Sequence, residues 1–139
     1  MANAAAKVTA AFFDSKGLHY EILGDDEEVI HFGLPMENRE GIMLFLFFTP
    51  DGTSVSIRNF DLAKIPEGKK AQAIMVCNEL NLNFKWVKFA YDDERKCIQA
   101  TDDAVIQLDS CGDEVLRCSI QLMHVCDEAY PLIMKAIYV

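Results

Sequence analysis

Basic residues are scarce in this sequence. It carries 13 lysines and arginines against 22 aspartates and glutamates, for a net charge of −9 at pH 7. A protein this acidic repels the phosphate backbone, and no stripe of basic residues overrides the average charge. We therefore expect no nucleic-acid partner.

Long apolar runs and a disulfide pattern are also missing. The longest unbroken apolar run covers residues 42–48, whereas a membrane-spanning helix needs about 20 residues. The apolar stretch near the start is too short for a secretory signal. The cysteines are odd in number and form no C-x-x-C pair: Cys77, Cys97, Cys111, Cys118 and Cys126. Free thiols are typical of a reducing compartment, so the sequence predicts a cytoplasmic protein that does not bind membranes.

Catalytic motifs are the third absence. Gly68-Lys69 is followed by Lys70 instead of the serine or threonine of a phosphate loop, and residues 52–56 fall one glycine short of a nucleophile elbow. The histidines stand at no metal-ligand spacing: His19, His31 and His124. Acidic clusters at 25–28, 92–94 and 102–103 are interpreted as solvated residues of turns and strand ends. We predict no catalytic residue, no cofactor and no metal site.

The residues that are present describe a folded α+β protein. Half of the chain is hydrophobic (51%) and a quarter is charged (25%), so residues 1–139 are predicted to form a single domain. Periodicity and turn signals predict helices over 2–16, 66–83 and 112–137, and strands over 18–23, 28–35, 42–49, 53–62, 85–91 and 96–102, with the last strand continuing through 104–108. The predicted order is α-ββββ-α-ββ-α, with an antiparallel meander packed by helices. In the first helix, Val8, Ala11, Phe12 and Ser15 share the face that we predict to be buried.

The strand over 42–49 is apolar on both of its faces. One face carries Ile42, Leu44, Leu46 and Phe48, and the other carries Met43, Phe45 and Phe47. Helices that pack on one side of a sheet leave the second row exposed, which a soluble monomer avoids. Either helices cover both sides of the sheet or a second subunit does.

The last helix poses the same question. Its first apolar ridge includes Val115, Leu122 and Ile133, which is enough to bind one sheet. A second ridge contains Leu116, Ile120, Met123, Tyr130 and Met134. Another helix of the chain could cover this ridge, or a partner could. We therefore take Met43, Phe45 and Phe47 together with the second ridge as a candidate interaction surface.

Two functions remain open on this reasoning. The first is a non-enzymatic protein-interaction module, dimeric, that holds a protein or peptide segment on an apolar face. The second is a small-molecule binding domain with an apolar cavity between the sheet and the C-terminal helix.

Several stretches resemble a known family. The element order, residues 50–57 (PDGTSVSI), residues 78–89 (NELNLNFKWVKF) and a closing helix that runs through Tyr130-Pro131 are similar to the YbjN family, a group of bacterial sensory transduction regulators. The resemblance covers nearly the whole chain. It implies a fold like that of type III secretion chaperones and a small dimeric, protein-binding or chaperone-like role. It offers no catalytic residues to carry over, because the shared stretches are hydrophobic and structural.

Overall fold

The computed structural model describes residues 2–138, and its elements follow the predicted order. The helices are α1 (Ala4–Ser15), α2 (Lys70–Asn83) and α3 (Cys111–Tyr138). The strands are β1 (Glu21–Leu23), β2 (Val29–Leu34), β3 (Ile42–Phe48), β4 (Ser54–Lys64), β5 (Lys88–Asp92) and β6 (Cys97–Val105). The predicted α+β class and antiparallel sheet are confirmed.

All six strands form one antiparallel sheet in the order β1-β2-β3-β4-β6-β5. The predicted meander of the first four strands is confirmed. After it, β4 pairs with β6, so the later strand lies inside the sheet and β5 becomes an edge. This swap lets α2, which connects β4 to β5, reach the edge of the sheet.

The helices pack on a single face of the sheet, here called the inner face. Ile30, Leu44 and Ile57 lie on this face and are completely buried. Helix α3 crosses β4 and β6, and both α1 and α2 pack against it. Helix α1 also contacts β2, and helix α2 also contacts β5. The opposite face, here called the outer face, receives no helix among the described residues 2–138. None of the helices in that range is long and apolar enough to cross a membrane.

Helix α1 is rotated relative to the prediction. Ala11 and Ser15 are exposed, and the buried residues are Ala5, Ala6, Thr9, Ala10 and Phe13. The Asn3 side chain accepts a hydrogen bond from Ala6 N at 3.0 Å and donates one to Thr49 O at 2.9 Å. These bonds tie the start of α1 to the end of β3, and so they help to set which side of α1 meets the core.

Two local predictions also need correction. Helix α2 begins at Lys70 rather than at Pro66, because Gly68 has φ +85°, a left-handed conformation that a right-handed helix does not accommodate. Asp102 is a mid-strand residue of β6 with 5% of its surface exposed, not a solvated residue of a strand end. It lies opposite Ile57 on the inner face.

Candidate interaction surfaces

The eight candidate residues fall on two surfaces that the sheet separates. Met43, Phe45 and Phe47 lie on the outer face of β3, where Met43 is 46% exposed and both phenylalanines are half-buried. The α3 residues lie on the helical side of the sheet. The structure therefore does not bring the two groups together into one surface.

An aromatic cluster forms around Phe45 on the outer face. The ring of His31 stacks on Phe45 with centroids 4.2 Å apart and planes inclined by 13°. Phe60 lies 5.5 Å from Phe45 and 6.3 Å from Phe47 between ring centroids. We call His31, Phe45, Phe47 and Phe60 the outer-face cluster. Its four rings come from three neighbouring strands.

Strand register brings most of these rings together. His31 of β2 is paired with Phe45 of β3, and Gly33 is paired with Met43. A Cβ atom on Gly33 would lie 2.9 Å from Met43 Sδ, so glycine leaves room for that side chain. The cluster thus follows from antiparallel pairing of alternating strands.

A bulge in β4 lies beside Phe60. The β4–β6 register shifts between Asn59 and Ala63, and the buried Asn59 side chain satisfies the local backbone. Its amide donates to Met43 O at 2.9 Å and to Asp61 Oδ1 at 3.0 Å, while its oxygen accepts from Asp61 N at 3.2 Å. Sequence reasoning missed Phe60, although simple alternation from Val55 and Ile57 already assigns it to the outer face.

Arginines adjoin the outer-face cluster. The guanidinium of Arg95 lies over the Phe60 ring, 4.3 Å from its centroid, and Arg58 Nε donates to Ser56 Oγ at 3.0 Å. Neither arginine is in an ion pair with another described residue. The outer face is therefore an apolar, aromatic surface beside which two arginines lie without an ion-pair partner among the described residues, with the acidic residues Glu21 and Asp103 on the same face.

The second ridge of α3 is partly covered within the chain. Helices α1 and α2 both pack on α3, and its five ridge residues are half-buried. Tyr130 is also approached by Arg39, 5.8 Å from the ring centroid. The sequence left open whether another helix of the chain or a partner covers this ridge. Helices α1 and α2 account for much of its burial.

Asp127 holds the β2–β3 loop against α3. Its carboxylate accepts hydrogen bonds from Glu37 N at 3.0 Å and from Asn38 N at 2.8 Å, and Asn38 Nδ2 donates to Asp127 O at 2.9 Å. The backbone N–H of Asn38, followed by that of Glu37, lowers the pKa of Asp127 below its usual value. An ionised Asp127 therefore anchors this loop to the middle of α3.

Helix α2 exposes an apolar stripe that sequence reasoning missed. Met75 is 64% exposed, Leu82 is 78% exposed and Ile74 is 49% exposed. The helix face opposite the core contains Ala71, Ile74, Met75, Asn78 and Leu82, and the exposed Glu79 lies at its border. Trp86, 70% exposed, follows the helix in a left-handed conformation (φ +71°). We call Ile74, Met75, Leu82 and Trp86 the α2 stripe. The recurrence of Ile74, Asn78 and Leu82 every four residues was the signal that could have found it.

The region between the sheet and α3 is filled by side chains. Ile57 of β4 and Leu122 and Ile133 of α3 are completely buried there. An apolar groove of about 450 Å³ lies instead between α2 and α3, lined by Val76, Glu79, Leu80, Asn83, Phe84, Leu132, Lys135 and Ala136. One apolar groove thus lies between two helices, away from the sheet–helix contact where the sequence predicted a cavity.

Burial disfavours the reactive thiolate form of the cysteines Cys77 and Cys126. All five cysteines are free, and burial raises the pKa of Cys77 to about 11 and that of Cys126 to about 12. The nucleophilic form of cysteine is the thiolate, which these values disfavour at neutral pH. Within residues 2–138, no group of three or more His, Cys, Asp or Glu side chains is arranged to hold a metal ion.

One sheet edge is closed by a side chain. Asn81 of α2 donates from Nδ2 to Phe89 O at 3.0 Å and accepts at Oδ1 from Phe89 N at 2.7 Å. It therefore occupies the backbone groups of β5 that a strand from another molecule would use.

Replacing Asn81 by alanine is expected to lower the free energy of unfolding by about 1–3 kcal/mol and to increase self-association. The reason is that the N–H and C=O of Phe89 lose their partners at a sheet edge. Urea denaturation and light scattering on heating measure the two effects. Asn83→Ala is the matched control, because the Asn83 amide binds only Glu79 O on an exposed helix surface. Equal behaviour of the two variants would contradict a protective role for Asn81.

Comparisons with known proteins agree with this architecture. The model of the YbjN family, described as "Putative bacterial sensory transduction regulator", matches residues 6–123. The crystal structure of YbjN from E. coli is similar with a TM-score of 0.64 at 11% identity, covering 91% of each chain. The structure of the ExsC–ExsE complex contains a similar chain with a TM-score of 0.50 at 15% identity, covering 88% of this chain and 90% of that chain. At these identities the two structures establish the fold, which is like that of ExsC, a type III secretion chaperone. A comparison with curated protein sequences gives no match.

Proposed function

This chain belongs to the YbjN family, and from that premise we propose that it is a non-enzymatic, dimeric regulator that binds an extended segment of another protein. The observation that carries the proposal is the outer-face cluster, an aromatic surface on a sheet face to which no described helix packs. Contiguous apolar surface of this kind marks interaction sites in soluble proteins.

The side chains of the outer face indicate what kind of protein segment would bind there. Neighbouring strands present the cluster side by side, and such a surface suits an extended peptide. Arg58 and Arg95, which adjoin it without ion-pair partners, favour carboxylates on the bound segment. We therefore infer an extended, apolar segment that carries acidic residues. The ExsC chain, which shares the fold, is in a complex with ExsE, and this supports a protein partner.

The α2 stripe is the proposed dimer interface. At about 200 Å² for a fully exposed large side chain, its four residues present roughly 500 Å² per protomer. That is more than half of the roughly 800 Å² that each partner buries in a stable interface. The apolar residues Ile74, Met75 and Leu82 match the centre of such an interface, and Glu79 at the border of the stripe matches its rim. A two-fold axis would place the same stripe on both subunits.

The proposal also covers the cell compartment and the number of domains. Residues 1–139 act as one domain in the bacterial cytoplasm, where unpaired thiols remain reduced. The support for this is that all five cysteines are free and four of them are buried.

Partner binding is tested in two steps. A photo-crosslinking amino acid at position 47 is used in a lysate to identify the captured segment by mass spectrometry, and that segment is then synthesised as a peptide. Phe45→Asp is expected to weaken binding of this peptide by about 10- to 100-fold, because a buried phenylalanine contributes about 1.5–3 kcal/mol. Isothermal titration calorimetry measures the affinity.

Leu132→Asp is the matched control. Leu132 is an apolar residue that is more exposed than Phe45, at 49%, but it lies on α3, on the helical side of the sheet. Its affinity for the peptide is expected to equal that of the wild type. Unchanged binding by Phe45→Asp, or an equal loss in both variants, would overturn the assignment of the outer face.

The α2–α3 groove supports a second candidate function, the binding of a small apolar molecule. Its volume of about 450 Å³ and its mostly apolar lining lie within the range of ligand sites. Native mass spectrometry of the purified protein separates the two candidates. A dimer without added mass supports the interaction module, whereas a monomer that carries an extra mass supports the ligand-binding domain.

A further inference from the structure

Asp102 is a buried carboxyl group without a hydrogen-bonding partner. Only 5% of its surface is exposed, and no described residue donates a hydrogen bond to its Oδ2 atom. The inner face around it is apolar, since both Ile57, its pairing partner on β4, and Ala100 are completely buried. An ionised carboxylate in such a position is costly unless a donor or a cation compensates it.

The charged and titratable groups around Asp102 add to this cost. Asp103, the next residue of β6, points to the outer face and repels its charge. On α3, burial, and then the charges of Asp102 and Glu114, raise the pKa of the Cys118 thiol, so Cys118 lies near both carboxyl groups. On β4, Arg58 occupies the outer face. All the groups that contribute electrostatically around Asp102 are therefore acidic or neutral.

We infer that Asp102 is a proton-dependent latch, which holds α3 on β6 when the carboxyl is neutral and loosens that contact when it ionises. Separation of α3 from β6 near Cys118 would let water solvate Oδ2. The opening is confined to the first half of α3, because Asp127 anchors the helix about two and a half turns further along.

The direction of the pH dependence follows from the pKa. Burial, and secondly the charge of Asp103, raises the pKa of Asp102 to about 6. In the unfolded chain an aspartate has a pKa of about 3.9. The folded state therefore holds the proton through the window from about pH 4 to 6, and its stability falls as the pH rises through that window. Two pKa units correspond to roughly a 100-fold change in the folding equilibrium.

The test compares the wild type with Asp102→Asn, which is neutral at every pH. Other carboxylates give the opposite trend, as the lowered pKa of Asp127 does, so the informative quantity is the difference between the two proteins. At pH 7.5 the variant is expected to be more stable in urea, by up to roughly 100-fold in the folding equilibrium, and at pH 4 the difference is expected to vanish. Asp109→Asn, at an exposed turn position, is the control and is expected to show no such pH-dependent difference.

Hydrogen exchange distinguishes a latch from a general loss of stability. After correction for intrinsic rates, amides of residues 111–122 are expected to exchange at least about 10-fold faster in the wild type than in Asp102→Asn at pH 7.5, and nearly equally at pH 4. Residues 127–138 are expected to show a smaller difference. A uniform change along α3, or none, would overturn the latch.

A measurement on the unaltered protein keeps the inference testable if the variant fails to fold. Carboxyl carbon NMR of the wild type follows Asp102 directly through the titration. A midpoint near pH 6 supports the latch, and a midpoint below about pH 4.5 overturns it.

Discussion

Replacing Leu82 by aspartate is expected to convert the dimer into monomers. Leu82 is 78% exposed in the single chain and lies at the centre of the exposed face of α2, opposite the core. A two-fold interface would bury two copies, each contributing about 1.5–3 kcal/mol, so that the dimer dissociation constant rises by about 10²- to 10⁴-fold. Like charges facing each other add to the loss. Sedimentation velocity over a wide concentration range measures the constant.

Val105→Asp is the matched control for this experiment. Val105 is even more exposed, at 86%, but it belongs to β6 on the outer face and not to α2. It is expected to leave the dimer intact. If the wild type stays monomeric throughout the concentration range, or if Leu82→Asp dimerises like the wild type, the α2 interface is wrong. The partner-binding proposal for the outer face is tested separately by Phe45→Asp.

Replacing Gly112 by alanine is expected to destabilise the protein, although the same change in an exposed helix stabilises it. Gly112 is buried in the first turn of α3, where a Cβ atom would lie 2.7 Å from Phe12 Cγ and closer still to Phe12 Cβ. These atoms adjoin the α1 backbone, so the helices themselves must move apart. Overpacking of this kind costs about 1–3 kcal/mol and outweighs the gain of about 1 kcal/mol in helix propensity. We expect a net loss of up to about 2 kcal/mol in urea denaturation.

A double-mutant cycle isolates the cause. Phe12→Gly removes both the Cβ atom and the ring atoms that the new methyl group at position 112 would meet, so the penalty of Gly112→Ala is expected to shrink in that background by about 1 kcal/mol or more. Glu128→Ala, at an exposed position of the same helix, is expected to be near neutral. Additive effects of the Phe12 and Gly112 changes would show that α1 and α3 do not meet through this contact.

The gap between sequence and structure is clearest in the helices. Alternation correctly assigned Ile42, Leu44, Leu46 and Phe48 to one face of β3, because a strand has only two faces and residue spacing decides between them. A helix can rotate continuously about its axis. For α1, an alanine-rich helix, apolar spacing selected Ala11 and Ser15, whereas the Asn3 contacts and the packing against α3 turned Thr9 and Phe13 inward.

The candidate surface was predictable in its residues but not in its arrangement. The apolar row of Met43, Phe45 and Phe47 is visible in the sequence, since it needs only the period of a strand. That Phe60 joins this row from β4 depends on strand pairing and a bulge. The burial of Asp102 was not predictable either. The sequence around a buried acid in a strand looks the same as the sequence around a solvated acid near a turn.

The sequence by itself determined the element order, the two-sided apolar strand and the scarcity of basic charge. These properties are local or compositional, and they depend on side-chain periodicity and turn residues. Only the tertiary structure decided that β4 pairs with β6, that all helices pack on one face, and that the outer-face cluster and the ridge of α3 lie on opposite sides of the sheet. These outcomes depend on contacts between residues far apart in the chain, which the pattern of any single segment does not encode.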